Sequence, residues 1–301
     1  MRVLITGATG LVGTPLAEKF IENGHSVHYL TTREAQIQSK ENYQGFFWNP
    51  DKSIIDESCL IGVDAIVHLA GATVAKKWTA AYKQEIIESR TLSSQLLFKT
   101  LKNHNHQVKQ IVSASAIGVY PHSLDKIYKE SEIQLGDDFL AKVVSVWEEQ
   151  VLKFEMQDLK VALVRIGLVL SMNGGALPPT VKPIKMGVGA YFGSGKHWQS
   201  WIHIDDLVAI FYESVLQQWE GIYNGVAPFP VTNKEFTKAI ATELNKPLWL
   251  PPIPKWFMNL VLGEMHQLLY SSQKVSAQKL LKKGFQYKFT NLKDALNELL
   301  Q

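Results

Sequence analysis

The chain opens on the apolar run Val3, Leu4, Ile5 and then sets glycines at 7, 10 and 13. Leu11, Val12, Leu16, Ala17, Phe20 and Ile21 follow at helical intervals. A short apolar run bounded by glycine reads as a buried strand, and recurrence every three to four residues reads as an amphipathic helix. Asn23-Gly24 stops that helix. The same alternation continues, with strands predicted over 27–30, 45–48, 65–69, 109–114 and 161–166 and long helices over 81–102 and 139–156. Alternating strand and helix predicts a parallel sheet covered on both faces.

From Leu168 the texture changes. Glycines and prolines cluster at 174, 175, 178, 179, 183, 187, 189, 193 and 195, which predicts loops and short strands. A helix returns over 205–216, and Asp205 reads as its cap. Another is expected over 232–244, with Thr232 or Asn233 as N-cap and Glu235 in its first turn. Pro247 to Pro254 breaks the chain, and short helices near 256–262, 275–283 and 292–300 finish it. The fold class is α/β: a Rossmann-type doubly wound parallel sheet with a smaller C-terminal α/β lobe. Residues 1–167 are expected to form the nucleotide-binding domain, with later segments near 197–227 returning to it. Residues 168–301 are expected to form mainly a substrate lobe ending in a helical tail from about 247.

Composition narrows the partners. With 301 residues and 46% hydrophobic content the chain can bury a sizeable core. The net charge of +3, from 31 basic and 28 acidic residues, comes without a basic block, so no nucleic-acid partner is expected. Cys59 is the only cysteine, which excludes an intramolecular disulfide and a cysteine-built zinc site. No apolar run approaches the roughly 20 residues of a membrane span, and no membrane partner is expected. The first strand begins at residue 2, leaving no room for a signal peptide. The expectation is a cytoplasmic protein.

Strand, glycine turn and helix in that order form the context of a dinucleotide site. The glycines let backbone approach a pyrophosphate, and the helix start offers free N–H groups to it. Gly7, Thr9, Gly10, Leu11 and Val12 are the contacts expected in this turn. The second strand ends Leu30-Thr31-Thr32-Arg33, with no acid until Glu34. An acid there would hold the ribose hydroxyls of NAD, whereas an arginine accommodates the 2′-phosphate of NADP, so NADP is favoured. Small residues end the fourth strand, where Leu69, Ala70 and Gly71 let a flat ligand lie on the backbone. Arg90, Ser113 and Arg165 complete the expected cofactor contacts. Arg90 also reads as a substrate-anion ligand or a buried ion-pair partner, and Arg165 reads the same way.

The ordered set of motifs is spread over the whole length. It includes Gly7 to Gly13, His68-Leu-Ala-Gly-Ala72, Trp78, Ser89-Arg90 and Ser113-Ala-Ser-Ala-Ile-Gly-Val-Tyr120. Trp147-Glu148, Arg165 to Ser171, Gly174-Gly-Ala-Leu177, Gly193-Ser-Gly195, Ser200 to Asp206 and Gly263-Glu264 continue it. In this the chain resembles the extended short-chain dehydrogenase/reductases, and specifically an atypical branch described as an NAD(P)-dependent epimerase family with a C-terminal DUF1731 segment. The resemblance implies a Rossmann domain, NADP and a C-terminal substrate lobe, with a small-molecule substrate of nucleotide-sugar kind. It names no substrate.

The superfamily's usual chemistry needs a serine or threonine after the fifth strand and Tyr-x-x-x-Lys on the next helix, where the lysine lowers the phenol's pKa. Here that helix reads Phe139-Leu-Ala-Lys-Val-Val-Ser-Val-Trp-Glu148 and has no tyrosine. Ala116 stands at the usual serine position, with Ser115 one residue away. Tyr270 and Lys274 have the right spacing but fall in the other lobe, which reads as coincidence. Substitute proton donors are Tyr120, His203 and Ser115. Each has a structural alternative: Tyr120 as a packing aromatic, His203 as a brace for the helix at 205. Trp198 and Trp201 suit a pocket wall or core. Two functions remain open: an epimerase-like NADP oxidoreductase with a non-standard donor, or a non-catalytic NADP-binding sensor or regulatory protein.

Overall fold

A computed structural model describes residues 1–301. Seven parallel strands make the main sheet: β1 (Arg2–Thr6), β2 (Ser26–Thr31), β3 (Tyr43–Asn49), β4 (Ala65–His68), β5 (Gln110–Ala116), β6 (Lys160–Ile166) and β7 (Gly221–Gly225). Their order is β7-β6-β5-β4-β1-β2-β3, and the two-residue strands Ser39–Lys40 and Ile54–Ile55 pair antiparallel with β3. The chain steps one way from β1 to β2 and the other way from β4 to β5. Right-handed crossovers therefore put the intervening helices on opposite faces. The helices are α1 (Gly13–Glu22), α2 (Ala80–Asn103), α3 (Phe139–Leu152), α4 (Leu177–Lys185), α5 (Ile204–Leu216), α6 (Asn233–Glu243) and α7 (Lys255–Leu262). α1 packs beside α5, and α2 beside α3. The reversal of strand order between β1 and β4 opens a crevice at their C-terminal ends, which is where such sheets bind ligands.

One continuous core of 42 buried residues fills the space between sheet and helices. A second cluster of 13 joins Leu170, Leu177, Val181 and Ile184 to Phe236, Ile240 and the C-terminal helix Leu292–Leu300. This is the smaller lobe. No helix is long and apolar enough to cross a membrane.

Three local differences from the sequence reading have physical causes. Leu177–Lys185 is a helix where loops were expected. Pro178 and Pro179 sit in its first turn, where backbone N–H groups have no intrahelical partner to lose. The stretch expected as a helix over 275–283 begins instead as Lys274–Val275, paired in parallel with Ile127–Tyr128, and only Gln278–Lys282 is helical. The cap of α5 is His203, whose Nδ1 accepts the Asp205 N–H at 3.1 Å; Asp205 lies within the first turn. The capping box of α6 is as expected, with Thr232 and Glu235 bonding reciprocally.

Candidate functional site

A cleft of about 610 Å³ opens over the C-terminal ends of β1, β2 and β4. Gly7, Thr9, Thr31, Arg33, Ala70 and Gly71 all line it. Gly7 has φ +71°, and a Cβ there would meet the Leu69 carbonyl carbon at 3.0 Å, so the turn passes directly against the end of β4. At Gly13 a Cβ would lie 2.2 Å from the Gly7 oxygen. Both glycines close the turn on itself and leave its outer side open. α1 begins without a side-chain cap, and the amides of Leu11 and Val12 donate to no protein acceptor. Such free donors at a helix start are an anion cradle. Leu11 is also covered by the second lobe, because Gly174 and Gly175 pack on its side chain.

Arg33 follows the end of β2. Its main-chain N–H donates to Thr31 Oγ1 at 3.2 Å, and its guanidinium pairs with no protein carboxylate. Arg90, behind Gly71, likewise pairs with no carboxylate. Its Nη1 donates to the Ile86 carbonyl at 2.9 Å, and the group lies 5.1 Å from the centre of the Trp147 ring. Gly71 permits this placement, since a Cβ there would come 3.1 Å from Cζ of Arg90. Burial lowers Arg90 to about 10, which still leaves it charged at neutral pH.

The cleft floor is held by a relay that the sequence reading did not identify. Thr6 Oγ1 accepts the N–H groups of Leu69 (3.0 Å) and Ala70 (3.1 Å) and also contacts His68 Nδ1 at 2.8 Å. With both lone pairs occupied, Thr6 must donate its own proton to His68. That fixes the histidine as the Nε2–H tautomer, donating to Ser94 Oγ at 3.1 Å. Burial drops His68 to about 4, so it is neutral. The only sequence signal was a threonine ending one strand beside a histidine ending its neighbour. Trp48, Pro50, Asp51, Ser89 and Ser93 also line the cleft without having been singled out.

Ser115 and Tyr120 belong to a separate buried network. The β5–β6 register sets Ser115 opposite Arg165. Arg165 clamps Glu148 of α3 through Nε to Oε1 and Nη2 to Oε2, both 2.8 Å, while Ser115 donates to Oε1 of the same carboxylate. Arg165 Nη1 donates to the Tyr120 hydroxyl at 3.0 Å, and that hydroxyl donates to Asn224 Oδ1 at 2.8 Å. Tyr120 is fully buried and stacked on Tyr128. Burial holds its phenol above the usual value against the lowering pull of Arg165. For Arg165 burial works downward, but the hydrogen bonds and charge of Glu148 outweigh it and the net shift is up. Ser113 is wholly enclosed, with Oγ bonded to the Ala114 carbonyl at 3.0 Å. Neither Ser113 nor Arg165 lines the cleft.

His203 stands elsewhere again. Besides capping α5 it bonds Glu298 of the C-terminal helix through Nε2 at 3.1 Å, and its ring packs on Phe289. Tyr270 donates to the Ile253 carbonyl, and the Lys274 ammonium lies over the Trp198 ring. This pair shares no contact.

Comparison with known proteins agrees with this geometry. An epimerase family protein of Staphylococcus aureus is 37% identical over 301 residues, 99% of this chain and 98% of the relative. The human epimerase family protein SDR39U1, solved with NADPH, superposes with a TM-score of 0.86 at 30% identity, covering 99% of both chains. A nucleoside-diphosphate sugar epimerase from Corynebacterium glutamicum gives 0.80 at 31% identity, covering the whole of this chain and 58% of that one. The dTDP-glucose 4,6-dehydratase DesIV of Streptomyces venezuelae, solved with NAD, gives 0.79 at 18% identity, a likeness of fold alone. The profile of a domain of unknown function, DUF1731, matches residues 253–299. Since the profile of the NAD dependent epimerase/dehydratase family matches residues 3–224, the chain belongs to that family.

Proposed function

We propose that the protein is an NADP-dependent oxidoreductase of the epimerase type acting on a small, nucleotide-sugar-like substrate. The carrying observation is the free guanidinium of Arg33 in the same cleft as the Gly7 turn. The turn and the free amides of Leu11 and Val12 suit a pyrophosphate, and Arg33 with Thr31 and Thr32 suits a 2′-phosphate. NADP, when bound, supplies the hydride chemistry. Arg90 offers its charge to the pyrophosphate or to an anionic part of the substrate. The first 167 residues hold the cofactor on this reading, and the later lobe closes over the substrate.

Of the three proton-donor candidates, Tyr120 and His203 spend their hydrogen-bonding positions on protein partners. Ser115 likewise spends its one hydroxyl proton, on Glu148 Oε1, so none of the three carries a free proton. The saturation of all three favours a second reading, a protein that binds NADP without turnover and serves as a sensor or regulator.

Calorimetry with NADPH and NADH tests the cofactor. Arg33→Asp should weaken NADPH by about 10- to 100-fold, the worth of a charged phosphate contact, and leave NADH nearly unchanged. Equal losses for both would remove the phosphate-clamp role. Loss of NADPH absorbance with any member of a panel of carbonyl compounds and nucleotide sugars would support catalysis. Tight NADPH binding with no turnover of any member favours the sensor.

A further inference from the structure

The helix α7 has its hydrophobic side outward. At 100° per residue Trp256, Leu260, Phe257 and Val261 span one continuous arc, with Met258 and Leu262 opposite. Trp256 is 69% exposed and Leu260 79%, and no residue of the helix is buried. Its packing partner is the Gly263–His266 turn that follows it. The base beneath is firmly tied. Trp249, also exposed, donates from Nε1 to the Gly187 carbonyl at 2.9 Å, and Ile253 exchanges main-chain bonds with Tyr191 and Gly193. Val188, next to the anchored Gly187, is exposed as well. An apolar patch of this size on a well-packed base marks an interaction surface.

Charge selects the occupant. Residues 176–204 and 244–263 contain no acidic residue. Lys182, Lys185, Lys246 and Lys255 are exposed there, and none makes an ion pair. Two acids bound the second stretch: Glu243, at the end of α6, makes no ion pair, and Glu264, after α7, is taken by Lys83. A two-fold contact between copies would set these lysines against each other, which disfavours self-association through this face. A protruding arc of tryptophan, phenylalanine and leucine, on stretches of chain whose exposed charges are unpaired lysines, instead matches an anionic phospholipid surface. Aromatic rings settle at the level of the headgroups, and the ammonium groups meet the phosphates.

We propose that α7 and the adjoining lysines dock the protein peripherally on anionic lipid bilayers. The contact lies on the surface, so it needs no spanning helix. Co-sedimentation of the full chain with vesicles tests it, comparing phosphatidylcholine alone with a mixture containing one quarter phosphatidylglycerol. Binding is expected only to the anionic vesicles and should weaken as salt rises. Trp256→Ser with Leu260→Ser should abolish it, with the thermal unfolding midpoint and NADPH affinity unchanged. Lys246→Gln with Lys255→Gln should weaken it about 25-fold, at about fivefold per lysine near the surface. This second pair keeps the proposal testable should the first fail to fold. Equal binding to both vesicles, or to neither, overturns the proposal. So does a dimer on size-exclusion chromatography that the Trp256/Leu260 variant dissolves, since that assigns the face to a second copy. Binding to a polyanion such as heparin that survives the loss of Trp256 and Leu260, with no vesicle binding, also overturns it.

Discussion

At the scale of single residues, hydrogen-bond accounting decides which groups are free to act. Thr6, His68 and Ser94 form a closed circuit under the cleft, and the circuit works only while His68 is neutral. A second proton on Nδ1 would face a hydroxyl whose lone pairs already serve Leu69 and Ala70. The sign of the resulting pH dependence follows. The unfolded histidine takes up its proton near 6.5, whereas the folded one does so near 4, so the unfolded state binds more protons between those values. Stability should therefore be full above pH 6.5 and fall by about 3 kcal/mol as the pH drops to 4. His197, also lowered to about 4 by burial, pulls in the same direction. Urea midpoints between pH 7 and 4.5 give the total, and the ring-proton NMR shift of His68 separates its share. Titration of that signal near pH 6.5 in the folded protein would contradict the buried relay.

Whole elements obey the same accounting at their ends. The start of α6 satisfies its amides through Thr232 Oγ1, which accepts from the Glu235 N–H at 3.3 Å, while the Glu235 carboxylate takes the Thr232 N–H at 2.7 Å. Thr232→Ala should cost about 1 kcal/mol, and Glu235→Ala in the same background should add less than it does alone. Chemical denaturation of the double-mutant cycle measures that coupling, and fully additive losses would mean the two groups act separately. Thr232 was legible in the sequence because threonine three residues before glutamate is a local pattern. So were β1 to β6 and the helices between them, because short apolar runs and a 3.6 period are both local to each segment. α4 was hidden because its three prolines resemble breakers, although Pro178 and Pro179 occupy the tolerant first turn and only Pro183 lies inside the helix. β7 was hidden because Gly-Ile-Tyr-Asn-Gly shows no alternation, and only its pairing with β6 makes it a strand. His203 was read as a brace and a candidate acid, yet the capping rule is written for smaller polar side chains. The cluster of Ser115, Glu148, Arg165 and Tyr120 could not be read at all. Its members lie up to 50 residues apart and meet only through the strand register and the docking of α3.

Across the whole molecule the two clusters of buried side chains meet at the parallel pair Leu168–Leu170 and Trp201–His203, whose residues divide between them, and the Gly7 turn lies beside the larger one. The smaller is closed by the C-terminal helix, where Leu296 and Ala295 are fully buried and the helix packs on α6, which in turn packs on α4. Asp206 of α5 accepts the N–H groups of Lys288 and Phe289 at 2.7 and 3.0 Å and thereby fixes the strand of chain that leads into that helix. The smaller lobe thus depends on residues nearly 300 positions from the Gly7 turn, while the turn itself is framed by β1, β4 and α1. Leu296→Ala removes buried methyl groups from the smaller cluster and should cost about 2–5 kcal/mol. Local opening should follow the packing. Hydrogen exchange should then accelerate over Leu177–Lys185 and Asn233–Glu243, with Arg2–Thr6 and Ala65–His68 still protected. NADPH affinity, set in the larger unit, should stay within about twofold, a few tenths of a kcal/mol. Loss of protection in both units together would mean that the chain unfolds as one block and that substrate lobe and cofactor site cannot open independently.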